Sequence, residues 1–181
     1  MSISFKNIIN IAFTFFLLVS CNTTRKASKK KDNKNNAEML TSKEIQEKYA
    51  KLLDVSPQAI SNKPLYELID DWYGTKYQYA GKSKDGIDCS AFVSVIFKNI
   101  YKKELSGSSA NIFNQCVKVD TAHLKQGDLV FFKIDGDKIS HVGVYLDNKR
   151  FVHASTKAGV RIDSLEQEYY KKIFYSGGRI K

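Results

Sequence analysis

The sequence predicts an α+β domain in which N-terminal helices pack on a central antiparallel β-sheet. Two observations predict this fold class. Apolar residues recur at helical spacing between residues 40 and 100, whereas short apolar runs alternate with turn residues after about residue 126. Helices followed by hairpin-linked strands are typical of the α+β class. With 181 residues, 43% of them hydrophobic, the chain is long enough for one such core plus targeting and linker segments.

Two helices are predicted in the first part of the domain. Thr41 and Glu44 have the spacing of a capping box, so the first helix is expected to begin there and to run to about Leu53. The second is expected to begin near Pro64, a favoured first-turn residue, and to end at Gly74.

A third predicted helix carries the first chemical signal. Asp88 is a good N-cap, and the broad apolar stripe between Phe92 and Ile100 predicts a buried inner face. Cys89 then lies in the first turn, where unpaired N–H groups stabilise a thiolate, so we expect a lowered thiol pKa. The same N–H groups are placed to hold a developing oxyanion.

The remaining elements are strands. They are predicted at 128–134, 139–146, 150–155, 160–162 and 173–180. Turns at Asp135-Gly136 and 147–149 join the first three into antiparallel hairpins.

Two histidines fall in adjacent predicted strands. In a symmetric hairpin centred on Asp147, His141 and His153 lie directly opposite each other, so that one imidazole can orient the other. The alternation around His141 predicts one buried strand face and a second face that presents the histidine. One Cys and two His are also the ligands of zinc sites, but close ligand pairs such as C-x₂-C are missing here, and we predict no metal and no cofactor.

The first 20 residues are typical of a bacterial lipoprotein signal peptide. Lys6 precedes an apolar run at 8–19, shorter than the ~20 residues that a spanning helix needs. The run ends Leu-Val-Ser-Cys, which resembles a lipobox whose cysteine, here Cys21, is lipidated and becomes the mature N-terminus. The alternative is an ordinary signal peptide with a chance cysteine. A membrane-anchored cell-envelope protein is therefore expected.

The charge of the chain is concentrated in the segment after Cys21. The net charge is +10, and residues 22–38 contain six basic and two acidic residues with alanine as the only apolar type. Such a segment is expected to be a disordered tether, attracted to anionic lipid or wall polymer. Nucleic-acid binding is not predicted, because the cluster lies outside the folded part.

Four motifs, in order and at family spacing, resemble the NlpC-type cell-wall cysteine peptidases. They occupy residues 72–81 with 86–93 (WYGTKYQYAG and GIDCSAFV), 124–132 (LKQGDLVFF), 141–145 (HVGVY) and 151–155 (FVHAS). The resemblance covers about 64–181 and implies a papain-like fold. The predicted organisation is a signal peptide at 1–20, the lipidated Cys and tether at 21–38, a helical segment at 39–63 and the NlpC-type domain at 64–181.

The resemblance also implies the chemistry. Cys89 is the nucleophile, His141 the general base and then acid, and His153 the orienting third member. The reaction implied is hydrolysis of the bond between γ-D-glutamate and a diamino acid in the peptidoglycan stem peptide. The expected partners are stem peptides and, through Cys21, the membrane; the protein is expected to be a monomer.

Three further residues are implied to bind substrate. Tyr77 matches the family's active-site tyrosine, and Asp88 and Ser90 match positions that hold the free amino end of a trimmed stem; helix capping alone is the alternative for the latter two. Ala80 stands where the family usually has glycine, and residues 105–109 depart from its usual Pro-Arg pattern.

Two other functions compete with this one. The first is a catalytically silent wall-binding protein, which an intact Cys89, His141 and His153 argue against. The second is a thiol amidase or acyltransferase of the same fold. Outside the motifs, Cys116 is expected to be a small buried hydrophobe and His123 to lie on a loop surface.

Overall fold

The computed structural model describes residues 40–134 and 136–181. Its α-helices are α1 (Ser42–Leu53), α2 (Lys63–Trp72), α3 (Cys89–Ile96), α4 (Ser109–Phe113) and α5 (Glu168–Ile173). Its strands are β1 (Lys82–Ser83), β2 (Gly86–Ile87), β3 (Cys116–Val119), β4 (Leu129–Phe132), β5 (His141–Asp147), β6 (Arg150–Ser155), β7 (Gly159–Ser164) and β8 (Phe174–Ile180). Two 3₁₀ turns (Pro57–Ala59 and Thr121–His123) and a π-helical turn (Phe97–Tyr101) complete the described elements.

Six of the strands form one antiparallel sheet in the order β3-β8-β4-β5-β6-β7, and β1 pairs with β2 in a small ribbon. Helices α1 to α3 precede this sheet in the chain and share a hydrophobic core with it. The predicted α+β class, with helices packed on a central antiparallel sheet, is therefore confirmed.

One side of the sheet, which we call the helix-facing face, forms the main core. Its strand residues are aliphatic or phenylalanine and fully or almost fully buried: Leu129, Phe131, Val142, Val144, Leu146, Val152, Ala154 and Val160. Helix α1 belongs to the same core through Tyr49 and Leu53. The turn after β5 also holds α1, because Asn148 Nδ2 donates to the carbonyl of Leu53 at 2.9 Å.

The other side, which we call the aromatic face, is smaller and has a different composition. It consists of Val130, Phe132, Tyr145 and Phe151 from the sheet and Tyr170 from α5, with both histidines among them. His141 lies directly opposite Phe132 in the β4–β5 pair. The prediction that β5 places His141 on the face opposite Val142, Val144 and Leu146 is confirmed, and α5 with its aromatic neighbours buries this face too.

The β5–β6 hairpin is also less regular than predicted. Val144 pairs with Val152 and Tyr145 with Phe151, and the register shifts between Tyr145 and Asp147. His153 is therefore diagonal to His141 rather than directly opposite, still on the same face because the offset is two residues. Gly143 makes room for the diagonal approach: a Cβ there would lie 2.7 Å from the ring of Phe151 and 3.2 Å from His153 Cβ.

Most predicted elements are found within a few residues of their expected bounds. The Thr41–Glu44 capping box is present, and Asp88 caps α3. The third helix departs from expectation, because its last turn, Phe97–Tyr101, is π-helical. Helices α4 and α5 and strands β1, β2 and β3 were not predicted from the sequence.

Several expectations lie outside the described residues: the signal peptide at 1–20, the lipidated Cys21 with its tether to residue 38, and the first residue of the Asp135 turn. Within the described part of the chain, no helix is both long and apolar enough to cross a bilayer.

Candidate active site

Cys89 is the first residue of α3. The preceding Asp88 has an extended backbone, and its Oδ1 accepts hydrogen bonds from the N–H of Ala91 at 2.7 Å and from Ser90 Oγ at 2.8 Å. This N-cap starts the helix immediately after β2 and aims its first N–H groups toward the cysteine. The capping role of Asp88 is thus present in the structure, and Ser90 supports it.

The thiol of Cys89 is largely enclosed, with 7% of the residue exposed. Burial raises the pKa of Cys89 to about 11; hydrogen bonds from backbone groups of Val142, Ser90 and Cys89 itself oppose this rise, and the charge of Asp88 adds to it. The expected lowering of the thiol pKa is wrong for the substrate-free protein, because desolvation outweighs the N–H groups of the helix start.

The two histidines are joined by a direct hydrogen bond. His141 Nε2 lies 2.7 Å from His153 Nδ1, with the rings nearly perpendicular and their centroids 4.9 Å apart. The exposed fractions of the two residues are 4% and 1%. The predicted contact between the two imidazoles is therefore present, through the diagonal register of β5 and β6.

The hydrogen-bond chain continues to residues that the sequence analysis did not single out. His153 Nε2 lies 2.9 Å from Asp163 Oδ2, and Tyr170 donates to the same oxygen at 2.9 Å. Arg161 Nη2 lies 2.9 Å from Asp163 Oδ1. The sequence carries no local signal for Asp163, because it alternates with Arg161 along β7 in the way of ordinary polar residues on one strand face.

The aromatic face sets the electrostatics of the pair. His153 lies between Phe151 and Tyr170, with ring centroids 4.9 and 5.6 Å away, and Phe132 lies 5.8 Å from His141. Burial, reinforced by His153, lowers the pKa of His141 to about 3. Burial also lowers the pKa of His153, although Asp163 opposes this. Both imidazoles are consequently neutral near pH 7, beside a protonated thiol.

An open cleft of about 670 Å³ leads to Cys89. The predicted substrate residues Tyr77, Asp88 and Ser90 all line it. Ser140 lines it as well, and the backbone of Val142, the residue after His141, hydrogen-bonds Cys89.

The cleft walls carry charges of both signs. Lys82, Lys98 and Glu104 line it together with Tyr79, whose residue is 87% exposed. Next to Tyr79, Ala80 has a φ of 57°, the left-handed conformation that explains why glycine is usual at this position in the family that the motifs resemble. Residues 105–109, which depart from the usual Pro-Arg pattern of the family, also line the cleft.

The remaining candidates lie outside the cleft. His123 is exposed in a 3₁₀ turn, as expected. Cys116 is only partly buried, and its Sγ donates to the carbonyl of Ile112 at 3.3 Å. Among residues 40–134 and 136–181, no three His, Cys, Asp or Glu side chains are grouped as metal ligands.

Comparisons with known proteins agree on one family. Residues 74–179 match the profile of the NlpC/P60 family. The "Probable endopeptidase NlpC homolog" of Haemophilus influenzae is 40% identical over 125 residues, which are 69% of this chain and 66% of that protein. The "Murein DD-endopeptidase MepS/Murein LD-carboxypeptidase" of Escherichia coli K12 is 40% identical over 110 residues, 61% of this chain and 58% of that one.

Among solved structures, an NlpC/P60 family protein from Bacillus cereus superposes with a TM-score of 0.60 at 28% identity, over 66% of this chain and 40% of that chain. The match therefore spans less than two thirds of these two curated relatives. The fold and the family that the motifs indicate are both confirmed.

Proposed function

Because the chain belongs to the NlpC/P60 family, we propose that it is a cysteine endopeptidase that cuts the peptide stems of peptidoglycan. The observation that carries this proposal is the position of Cys89 at the start of α3, lining an open cleft, with a hydrogen bond from the backbone of Val142, the residue after His141. The names of the relatives support the substrate class.

The proposed chemistry starts from a neutral pair. His141 takes the proton from Cys89 as the sulfur attacks the carbonyl carbon of the scissile amide, and N–H groups at the start of α3 stabilise the oxyanion. The C–N bond breaks when His141 returns the proton to the leaving amine, leaving a thioester on Cys89. A water molecule that gives its proton to His141 then hydrolyses the thioester and releases the thiol. His153 orients His141 throughout.

The cleft fits a substrate that carries charges of both signs. Stem peptides contain free carboxylates and the amine of a diamino acid. Lys82 and Lys98 can pair with the carboxylates, and Asp88 and Glu104 with the amine. Burial raises the pKa of Tyr77, and the charge of Asp88 adds to this rise, so the hydroxyl remains a hydrogen-bond donor in the cleft.

For the bond, we propose the amide between γ-D-glutamate and the diamino acid. A second candidate is the D,D cross-link between two stems, which the name of the Escherichia coli relative favours. The two candidates give different products from the same substrates.

The test is digestion of purified muropeptides, followed by mass spectrometry. Cleavage of uncross-linked tetrapeptide monomers between the second and third residues supports the γ-D-glutamyl bond. Conversion of cross-linked dimers to intact monomers, with monomers untouched, overturns that choice in favour of the cross-link. No cleavage of either substrate overturns the endopeptidase proposal.

Cys89→Ser is the matched control, because it replaces one atom in a capped helix start. If this variant binds sacculi as the wild type does but releases no fragments, the cleavage by the wild type depends on the Cys89 thiol. If the wild type binds sacculi and also releases none, the silent wall-binding alternative is correct. Release of acyl groups from lipids instead of stems would favour the amidase or acyltransferase alternative.

We also propose that Cys21 is lipidated and anchors the protein in the cell envelope, with 22–38 as a tether. The support is the sequence alone. Metabolic labelling with a palmitate analogue should mark the wild type but not Cys21→Ala, and only the wild type should enter the detergent phase on phase separation. A wild type that stays in the aqueous phase contradicts the anchor.

A further inference from the structure

We propose that Asp163 is a positioning residue that fixes the tautomers of both histidines, so that Nδ1 of His141 is the nitrogen that accepts the thiol proton. The inference rests on the proposed function for its catalytic consequence, and on the hydrogen-bond geometry alone for the tautomers. It adds a buried carboxylate, two hydrogen bonds away from the base, to the expected Cys89, His141 and His153.

The strand register brings Asp163 to His153. In the β6–β7 pair, Phe151 lies opposite Asp163 and His153 opposite Arg161, so Asp163 is diagonal to His153 on the aromatic face. This is the same diagonal relation that joins His153 to His141 one strand further in. Each of the three hydrogen-bonded residues is at most 5% exposed: His141, His153 and Asp163.

The direction of the hydrogen bonds follows from the carboxylate. An ionised carboxylate only accepts, so the proton between Asp163 Oδ2 and His153 Nε2 belongs to the imidazole. Neutral His153 then has a bare Nδ1, which can only accept, so the proton in the 2.7 Å contact belongs to His141 Nε2. Neutral His141 is left with its lone pair on Nδ1. Each assignment leaves one choice for the next group.

The surroundings of Asp163 keep it ionised. Burial alone raises the pKa of its carboxyl, but hydrogen bonds from His153 and Tyr170, together with the charge of Arg161, hold the pKa of Asp163 below its ordinary value. The groups that face the carboxylate come from three elements: His153 on β6, Arg161 on β7 itself and Tyr170 on α5. His141 on β5 lies behind His153.

The carboxylate also matters after proton transfer. When His141 becomes an imidazolium, its positive charge is buried beside Phe132, where solvation is poor. The buried carboxylate of Asp163 offsets that charge through His153. Asp163 thus selects the nitrogen that acts and stabilises the charge that the step creates.

Asp163→Asn is the variant that separates these roles from packing. Arg161 can only donate, so the amide oxygen of the new side chain must take the place of Oδ1, and its NH₂ must face His153 Nε2. His153 Nε2 then becomes an acceptor, its proton moves to Nδ1, and His141 in turn carries its proton on Nδ1. The nitrogen that should act as base is blocked. An Asp-to-Asn change at the orienting residue of a Ser-His-Asp triad leaves the wrong tautomer and costs about 10⁴-fold; we expect kcat/KM to fall roughly 10²–10⁴-fold here.

The experiment is ¹⁵N–¹H correlation NMR of the histidine rings in the full chain near neutral pH, with muropeptide turnover measured on the same samples. Wild type should show the proton on Nε2 of both His141 and His153, and Asp163→Asn should show it on Nδ1 of both. Tyr170→Phe is the matched control: it removes one donor to Asp163 but keeps the carboxylate, so the tautomers should be unchanged and kcat/KM should fall less than ten-fold. Comparable urea midpoints for Asp163→Asn and Tyr170→Phe would show that the two variants lose a similar amount of stability.

Three results would overturn the inference: a wild-type proton on Nδ1 of His141, unchanged tautomers in Asp163→Asn, or changed tautomers with unchanged kcat/KM. If Asp163→Asn does not fold, the wild-type spectrum still decides the first of these. If wild type shows the expected tautomers but cuts no muropeptide, the proposed function fails while the tautomer assignment stands.

Discussion

The two faces of the six-stranded sheet are both buried, yet they are built for different purposes. The core of the helix-facing face is apolar and is shared with α1, α2 and α3. The aromatic face carries a buried chain of polar groups from His141 to Asp163, enclosed by Phe132, Phe151 and Tyr170. Strand β5 contributes to both, since its residues alternate between them. The comparison indicates that one face provides stability and that the other provides chemistry at some cost in stability.

The largest expected effect separates the two faces within β5. His141→Ala should lower kcat/KM about 10⁴-fold, because it removes the proposed base for the thiol proton. Val144→Ala, three residues along on the helix-facing face, should lower the free energy of unfolding by roughly 2–3 kcal/mol and leave kcat/KM of the folded protein within a few-fold. Muropeptide kinetics and urea denaturation measure both effects. A large loss of kcat/KM in Val144→Ala would contradict the division.

A smaller effect is expected at Gly143, where the two histidines approach each other diagonally on the aromatic face. A Cβ at this position would press on the ring of Phe151 and on the carbonyl of Val152, 2.7 and 2.9 Å away. Gly143→Ala should therefore lower the free energy of unfolding by about 1–3 kcal/mol and also reduce turnover, because His153 must shift. If stability changes but turnover does not, the contact between the histidines tolerates a larger shift of His153 than the geometry indicates.

The faces should also respond differently to pH. The pKa of His141 is lowered to about 3 in the folded protein from an ordinary value of 6.5. Between those values the unfolded chain binds more protons than the folded one, so the free energy of unfolding falls as the pH drops from 6.5 toward 3. The depressed pKa of Asp163 adds to the loss at the lower end, as this carboxylate becomes protonated.

Urea denaturation across this pH range measures the slope. His141→Gln should flatten it, whereas Val144→Ala should lower stability by the same amount at every pH. A wild-type stability that stays constant down to pH 4 would show that the histidines are solvated. Because the base stays unprotonated, the acid limb of kcat/KM should lie well below pH 6.5.

The smallest effect concerns the thiol itself. Burial raises the pKa of Cys89 to about 11, so its alkylation by iodoacetamide should be slow near pH 7 and should keep rising with pH. Mass spectrometry of the Cys89 peptide gives the rate. A plateau below pH 8 would instead identify a thiolate stabilised by the helix start, as the sequence analysis expected. Cys116, whose pKa is also raised to about 11 by burial, provides the internal comparison.

The sequence predicted the helix-facing face better than the aromatic one, for a physical reason. Regular alternation and capping are local, so the Asp88 cap, the Thr41–Glu44 capping box and β6 at 150–155 were all found. The register of the β5–β6 hairpin was not, because the bulge near Tyr145 depends on contacts between strands.

Helix α5 was missed for a similar reason. Its six residues, EYYKKI, have no apolar period of their own, and the helix is placed by the packing of Tyr170 over Phe151 and His153. The site shows the same limit. Motifs led to Cys89, His141 and His153, but Asp163 becomes visible only when β7 is paired with β6.

The position of β8 between β3 and β4 has a consequence for how the protein is made. Of the strands, β8 is the last to leave the ribosome, yet it fills an interior place, and its pairing with β3 joins Cys116 to Ile180. The hairpins β4–β5–β6–β7 can assemble from local contacts, whereas β3 must wait for a partner some 60 residues downstream, the kind of long-range closure that slows folding. A protein made in this order completes its sheet only after synthesis has passed β8, so a chain stalled earlier leaves the edges of β3 and β4 open for chaperones and proteases to recognise.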